Sequence, residues 1–183
     1  MTRELRGNLV TLVGLDVNGA AVGVLVDATG RLVVDGGGGS MVSTHKARAY
    51  AATNQAILTD TWTTVMLDTE TYDPGANFDV ANYRYVARVS GYYHFNASGG
   101  FASLIVVADK RVGIGVAVNG TIGSVSYQHS ASTTALVVPV GDTVHLNIGD
   151  LVTLSLQHTF GVTSNLASGT NTVFLSIFCI SED

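Results

Sequence analysis

An all-β sandwich or jelly roll is the fold class this sequence predicts, and three observations predict it. Short runs of alternating apolar and polar residues recur from Ala47 to Ile180, with turn residues between them. No stretch of useful length carries the helical apolar period. The segment Tyr85–Phe95 joins two alternating runs at a single glycine, Gly91. Beyond it, Tyr93, Phe95 and Ala97 share one strand face, while Tyr92, His94 and Asn96 share the other.

The chain opens with residues 1–35, which read as a small β-meander. Leu9–Val13, Ala21–Val26 and Arg31–Val34 are strand-like, and Asn18-Gly19 and Thr29-Gly30 mark the turns. Val22, Val24 and Val26 line one face, which Leu32 and Val34 continue. Three short strands bury little by themselves. The segment is therefore expected to act as an anchor on a host surface or on neighbouring protomers.

Residues 36–46 form a glycine-rich linker that begins Gly36-Gly37-Gly38-Gly39-Ser40. It reads as a natural boundary, with an engineered junction as the alternative. Residues 47–183 form the main domain. Its expected strands are 47–52, 63–68, 82–89, 92–98, 103–108, 112–118, 122–128, 134–139, 143–147, 151–158 and 172–180. Expected turns fall at Asp73-Pro74-Gly75, Ser90-Gly91, Gly99-Gly100, Asn119-Gly120, Gly141-Asp142, Gly149-Asp150 and Ser168-Gly169. Trp62 precedes a strand and is expected to seal an edge of the sandwich.

Composition narrows the function classes. The chain is 46% hydrophobic and only 13% charged, against about 25% charged residues in ordinary soluble domains. So little charge points to surface hidden in an oligomer or larger assembly, with a Thr/Ser/Asn-rich β surface as the alternative. Net charge is −5 with no basic cluster, which argues against nucleic acid and anionic membrane as partners. No apolar run reaches the roughly 20 residues of a membrane span. The charged start Met1-Thr2-Arg3-Glu4-Leu5-Arg6 is unlike a secretory signal. Cys179 is the single cysteine, so no intrachain disulfide forms.

Several fragments, in order, resemble the C1q/TNF-like globular domain over about residues 47–180. Phe78-Asp79 stands for a Tyr-Asp pair, and Tyr85 with Ala87 for an aromatic-x-Ala-Pro segment in which Arg88 replaces proline. Gly91, Tyr93 and Phe95 match Gly-x-Tyr-x-Phe. Asn119-Gly120 resembles the turn between central strands, and Gly149-Asp150-Leu151-Val152-Thr153-Leu154 a Gly-Asp-x-Val-x-Leu strand entry. Phe174-Leu175-Ser176-Ile177-Phe178 resembles the Phe-Ser-Gly-Phe-Leu ending, with Ser176 where glycine is common. The resemblance implies a homotrimer with the last strand near the threefold axis. It marks Tyr85, Tyr93, Phe95, Phe174 and Phe178 as core and trimer residues.

The residues offer little chemistry. His45, His94, His129, His145 and His158 form neither His-x-His nor His-Glu-x-x-His, so spacing assigns no metal site. Asp142 and Asp150 each follow a glycine and read as turn side chains. Some C1q-like relatives bind calcium near the trimer apex, so a calcium site using Asp109, Asp142 or Asp150 is the alternative. Otherwise no cofactor is expected. Gly113-Ile114-Gly115 lacks the rest of a dinucleotide fingerprint. No Gly-x-Ser-x-Gly elbow exists, and apolar neighbours make Cys179 a structural thiol, so an enzyme is not expected.

C1q-like modules without a collagen stem also occur in bacteriophage structural proteins, where they trimerise on a virion and a short N-terminal segment anchors them. This chain has no Gly-X-Y stem, and residues 1–35 look like that kind of anchor. The resemblance thus implies a virion-surface decoration or cement protein, bound to a partner such as the major capsid protein. The alternative is an adhesin at a tail or fibre tip that binds a host surface glycan through Tyr72, Asn77, Tyr127, His129, His158 and Phe160. A soluble C1q/TNF-like ligand is the third reading.

Overall fold

Period-two patterning leaves each strand with one apolar face, and an apolar face needs a second sheet to cover it. The computed structural model describes residues 10–15, 21–26, 32–33, 44–102 and 107–183. They belong to two units, Met1–Val42 and Ser43–Asp183.

In the first unit, β1 (Val10–Leu15), β2 (Ala21–Val26) and β3 (Leu32–Val33) pair antiparallel in the order β1-β2-β3. Val22, Val24 and Val26 take alternate positions opposite Gly14, Leu12 and Val10. The expected turns Asn18-Gly19 and Thr29-Gly30, Val34 and residues 36–43 of the linker expected at 36–46 lie outside the described residues, as do residues 103–106 of the strand expected at 103–108. Lys46, the last residue of that linker, already begins a strand.

The second unit begins with β4 (Lys46–Tyr50), β5 (Ala56–Ile57), β6 (Thr63–Thr64), β7 (Thr69–Tyr72), β8 (Phe78–Asp79) and β9 (Arg84–Val86). It continues with β10 (Gly91–Phe101), β11 (Arg111–Val118), β12 (Thr121–His129) and β13 (Leu136–Leu146). β14 (Leu151–His158), β15 (Ser164–Asn165) and β16 (Phe174–Glu182) complete it. A front sheet runs β13-β10-β16-β4-β7, and a back sheet runs β12-β11-β14-β9-β8 with β6 also on β14. β5 and β15 form a small separate pair. After β9 the chain crosses from back to front, returns for β11 and β12, and then alternates through β13, β14 and β16. Such crossing between two antiparallel sheets is jelly-roll topology.

Both inner faces fill one core. Tyr93, Phe95, Leu175 and Ile177 of the front sheet meet Tyr85, Ile114, Leu154 and Leu156 of the back sheet, and none is more than 1% exposed. The small residues Ala47, Ala49 and Ala51 leave room for these rings. At the crossing from β9 to β10, Tyr93 Oη donates to Val89 O at 2.9 Å, so a core ring clamps its own corner. Tyr85 packs edge-on against Tyr93 with centroids 5.9 Å apart. Gly91 has φ +155°, and a Cβ there would strike Ser181 O of β16.

Two expected turns are strand interior. Gly99-Gly100 lies within β10 and Gly141-Asp142 within β13, which runs unbroken where two strands were expected. Crowding explains the paired glycines. A Cβ on Gly99 would sit 2.7 Å from Leu156 Cδ2, and one on Gly100 would sit 2.7 Å from Val137 Cα of the neighbouring strand. Asn119-Gly120 is the expected hairpin turn between β11 and β12, with φ +51° and +81°. β5, β7, β8 and β15 have no counterpart among the expected strands. They are two to four residues long, too short to show a period.

Two outcomes follow for stability. Phe95→Ala should cost about 3–5 kcal/mol, as for a fully buried ring. Gly100→Ala should cost about 1–3 kcal/mol by overpacking, whereas Gly123→Ala, with nothing within 4 Å of its Cβ, should leave the urea midpoint almost unmoved.

Candidate interaction surfaces

The outer face of the front sheet is built by the residues that alternate with the core. One row across it reads Thr143, His94, Phe178 and Lys46. The next reads Gly141, Asn96, Ser176, Arg48 and Tyr72, and the third Pro139, Ser98, Phe174, Tyr50 and Thr69. Aromatics therefore recur on the two central strands and one edge. Tyr92 is 51% exposed, Phe178 42% and Ile180 56%. A sheet face that gathers exposed apolar residues is a candidate interaction surface.

The side chains on this face are already ordered. His94 lies 5.5 Å from the Phe178 ring, and its Nδ1 is 3.1 Å from Thr143 Oγ1. Tyr92 meets His145 edge-on at 5.2 Å, and His145 Nε2 is 2.7 Å from Asp183 Oδ2. Arg48 stacks 4.3 Å over Phe174 while donating to Thr71 Oγ1 and Thr170 O. Tyr72 Oη pairs with Ser176 Oγ at 3.1 Å. Held rotamers lose less entropy when a partner lands on them.

A second cluster sits on the outer face of the back sheet. Val112 and Ile114 point inward, so Arg111, Gly113 and Gly115 point out. Trp62 covers these glycines instead of sealing an edge. A Cβ on Gly113 would lie 2.6 Å from Tyr127 Cε1 and 3.2 Å from Trp62 Cη2. Trp62 and Tyr127 have centroids 6.0 Å apart, and Arg111 lies 4.5 Å from the Tyr127 centroid.

The six residues expected in ligand loops do not form one site. Asn77, His158 and Phe160 are interior, at 0%, 0% and 6% exposure. Asn77 Nδ2 donates to Thr44 O at 2.7 Å, while Asp73 accepts from the Asn77 and Phe78 amides. The loop thus needs Asn77 as a stitch, a role hinted at only by the Asp73-to-Asn77 spacing. His158 Nδ1 accepts from Phe160 N, so Nε2 carries the proton and donates to Ile57 O at 2.9 Å. His158 also stacks on Phe160 at 4.4 Å and meets Phe101 edge-on at 4.9 Å. Tyr72 is on the front sheet, whereas Tyr127 and His129 are on the back.

Of the residues marked as core and trimer, Tyr85, Tyr93 and Phe95 are interior, while Phe174 is half-buried and Phe178 exposed on the front face. Val22, Val24, Val26 and Leu32 fall in β2 and β3. Arg111 and Trp62 were missed as surface candidates; the Gly113-x-Gly115 spacing was the available signal that something flat lies above that strand.

Titratable groups are mostly engaged in the scaffold. Asp142 accepts from Ser124 Oγ at 2.6 Å and from the Thr143 amide, and these bonds hold its carboxyl below the usual range. Asp150 is held low chiefly by Asn119 Nδ2 at 2.8 Å and by the Asn147 amide. Among the described residues, no three His, Cys, Asp or Glu side chains cluster as a metal site would require. Burial pushes the Tyr93 hydroxyl up to about 12. Burial also raises the Cys179 thiol, which donates to Ser181 O at 3.4 Å.

Known structures share this architecture. The globular domain of zebrafish complement 1qA is similar over 75% of this chain and 98% of its own, at 14% identity and TM-score 0.58. Murine APRIL at pH 5.0 is similar over 74% of this chain and 98% of its own, at 14% identity and TM-score 0.58. Eiger TNF from S. frugiperda is similar over 75% and 93%, at 9% identity and TM-score 0.58. No family model and no curated protein matches the sequence. The class defined is a C1q/TNF-like jelly-roll domain, and the likeness is one of fold.

Burial holds the His158 imidazole below its ordinary value of 6.5, with the bond to Ile57 O opposing that shift. The unfolded chain therefore takes up a proton first as pH falls. The neutral core histidine costs nothing above about pH 6.5 and lowers stability progressively below it. Urea midpoints should fall between about pH 7 and about pH 5, with a slope that His158→Gln reduces.

Proposed function

We propose that this chain is a homotrimeric bacteriophage virion structural protein, a capsid decoration or cement protein attached through its N-terminal β-unit. The observation that carries the assembly is the front face, with Tyr92, Phe178 and Ile180 exposed on adjoining strands of an otherwise well-filled sandwich. A closed threefold arrangement buries that face in every copy, whereas an open one leaves it as an aggregation surface. The low charged fraction of 13% agrees with a chain that hides much of its surface.

The virion role rests on the resemblance and on the two-unit layout. The C1q/TNF-like unit follows a three-stranded unit with no sandwich partner of its own among the described residues. In this reading the small unit docks on a neighbouring protein such as the major capsid protein, by apolar contact or by adding strands to an exposed edge. Trimerisation links three anchors. Each bound anchor raises the effective concentration of the other two, so three weak contacts hold firmly. A trimer bridging adjacent capsomers would resist internal pressure.

Light scattering on the purified chain should give a trimer mass across a wide concentration range. Phe178→Asp should shift that mass toward monomer while the far-ultraviolet spectrum stays that of a β protein. A wild-type chain that remains monomeric would sink the assembly reading. Deletion of residues 1–35 should leave the trimer intact and abolish incorporation into particles; undiminished incorporation would refute the anchor role alone.

A further inference from the structure

We infer that the outer face of the back sheet carries a binding platform for an acidic saccharide, built from Trp62, Tyr127, Arg111 and Gln157. The platform is distinct from the front face proposed for assembly and does not rest on the virion reading.

Four observations converge on it. First, Gly113 and Gly115 remove the side chains that would otherwise lift Trp62 and Tyr127 off the strand, so the two rings lie close over it, tilted 51° to one another. The half-buried Trp62 ring presents area to the C–H faces of a sugar, beside a Tyr127 ring that carries Arg111 on its face. Second, Tyr127 stays 46% exposed and its neighbour Val125 47%, so the cluster opens to solvent. Third, the charge here is unspent. Arg48, Arg84 and Arg88 each donate to an oxygen. Among the described residues the Arg111 guanidinium has no hydrogen bond or ion pair, only the Tyr127 ring beneath it. Stacking fixes the guanidinium plane and leaves its N–H edge for a carboxylate. Fourth, polar groups flank the rings at matching height. Gln157 lies directly across from Gly113 on β14, and His129 directly across from Arg111 on β12. The Gln157 amide makes no hydrogen bond among the described residues and supplies both a donor and an acceptor for hydroxyls.

A neutral core-like patch would have no use for an unpaired arginine, and a phosphate site would gather more cations than one. Rings, one guanidinium and one amide match a ligand that is largely uncharged, many-hydroxylated and singly acidic in each unit. A uronic acid residue in a glycan has that chemistry.

Trp62 is the only tryptophan in the chain, so its emission reports directly on the site. Titration with tetragalacturonate should change that emission saturably, and the methyl-esterified tetramer should bind about tenfold or more weakly. Calorimetry should show a similar loss in Arg111→Gln and Trp62→Ala, and a smaller one in Gln157→Ala. Each variant is first matched to wild type in thermal midpoint, and the Gln157 and Arg111 variants, which alter only surface groups, keep the test valid if Trp62→Ala misfolds. Unchanged emission with both tetramers overturns the inference, as does equal binding of acid and ester. Loss of oligomer mass in Trp62→Ala would instead assign this face to subunit contact and overturn it too.

Discussion

The sandwich depends on one corner. Between β9 and β10 the chain must leave the back sheet and enter the front sheet within a few residues, and the core must close behind it. Gly91 lets the backbone pass against Ser181 O, and the Tyr93 hydroxyl ties the turn back to Val89 O. The same Tyr93 ring fills the core beside Tyr85. A single residue thus joins local geometry to long-range packing. Its hydroxyl satisfies a backbone carbonyl at the point where the strand ladder is broken, and its ring contributes apolar area where the two sheets meet. β10 then spans eleven residues between β13 and β16, and the front sheet is organised around it.

The core's demand for space explains most departures from the local reading. Glycines in pairs ordinarily mark turns. Here Gly99 and Gly100 keep a long strand close to Leu156 and to β13, and Gly113 with Gly115 make room for rings on the outside. The cue in the sequence is the same in both cases, an absent side chain. Whether that absence serves rotation or proximity depends on what lies across the gap, and those neighbours are tens of residues away. His158, Phe160 and Asn77 follow the same rule. They stand near the ends of strands, where polar and aromatic residues often face solvent, but His158 turns to Ile57 O of β5 and stacks on Phe160, while Asn77 turns inward to Thr44 O.

The two outer faces have different characters. On the front sheet, rings, hydroxyls and cationic side chains share rows, and several neighbours are already paired to one another: His94 with Phe178, Tyr72 with Ser176 and Arg48 with Phe174. On the back sheet, one cluster combines rings with an uncommitted guanidinium, which suits a small polar ligand. The front face was partly legible, because Tyr92 and His94 alternate with Tyr93 and Phe95 and must therefore point away from the core. The back cluster was not, because Trp62 reaches Gly113 and Gly115 from more than fifty residues away.

By itself the sequence determined the β class, most of the main strand positions and the Asn119-Gly120 hairpin; the C1q/TNF-like reading came from a resemblance of ordered fragments, and the likeness of fold agrees with it. Period-two alternation and turn chemistry are properties of neighbouring residues, so they can be read along the chain. Tertiary structure alone decided which glycines bend and which make room, which histidine is buried and neutral, and which aromatics share a surface. Those outcomes turn on contacts between residues far apart in the chain, and they exist only once two sheets have closed over a common core.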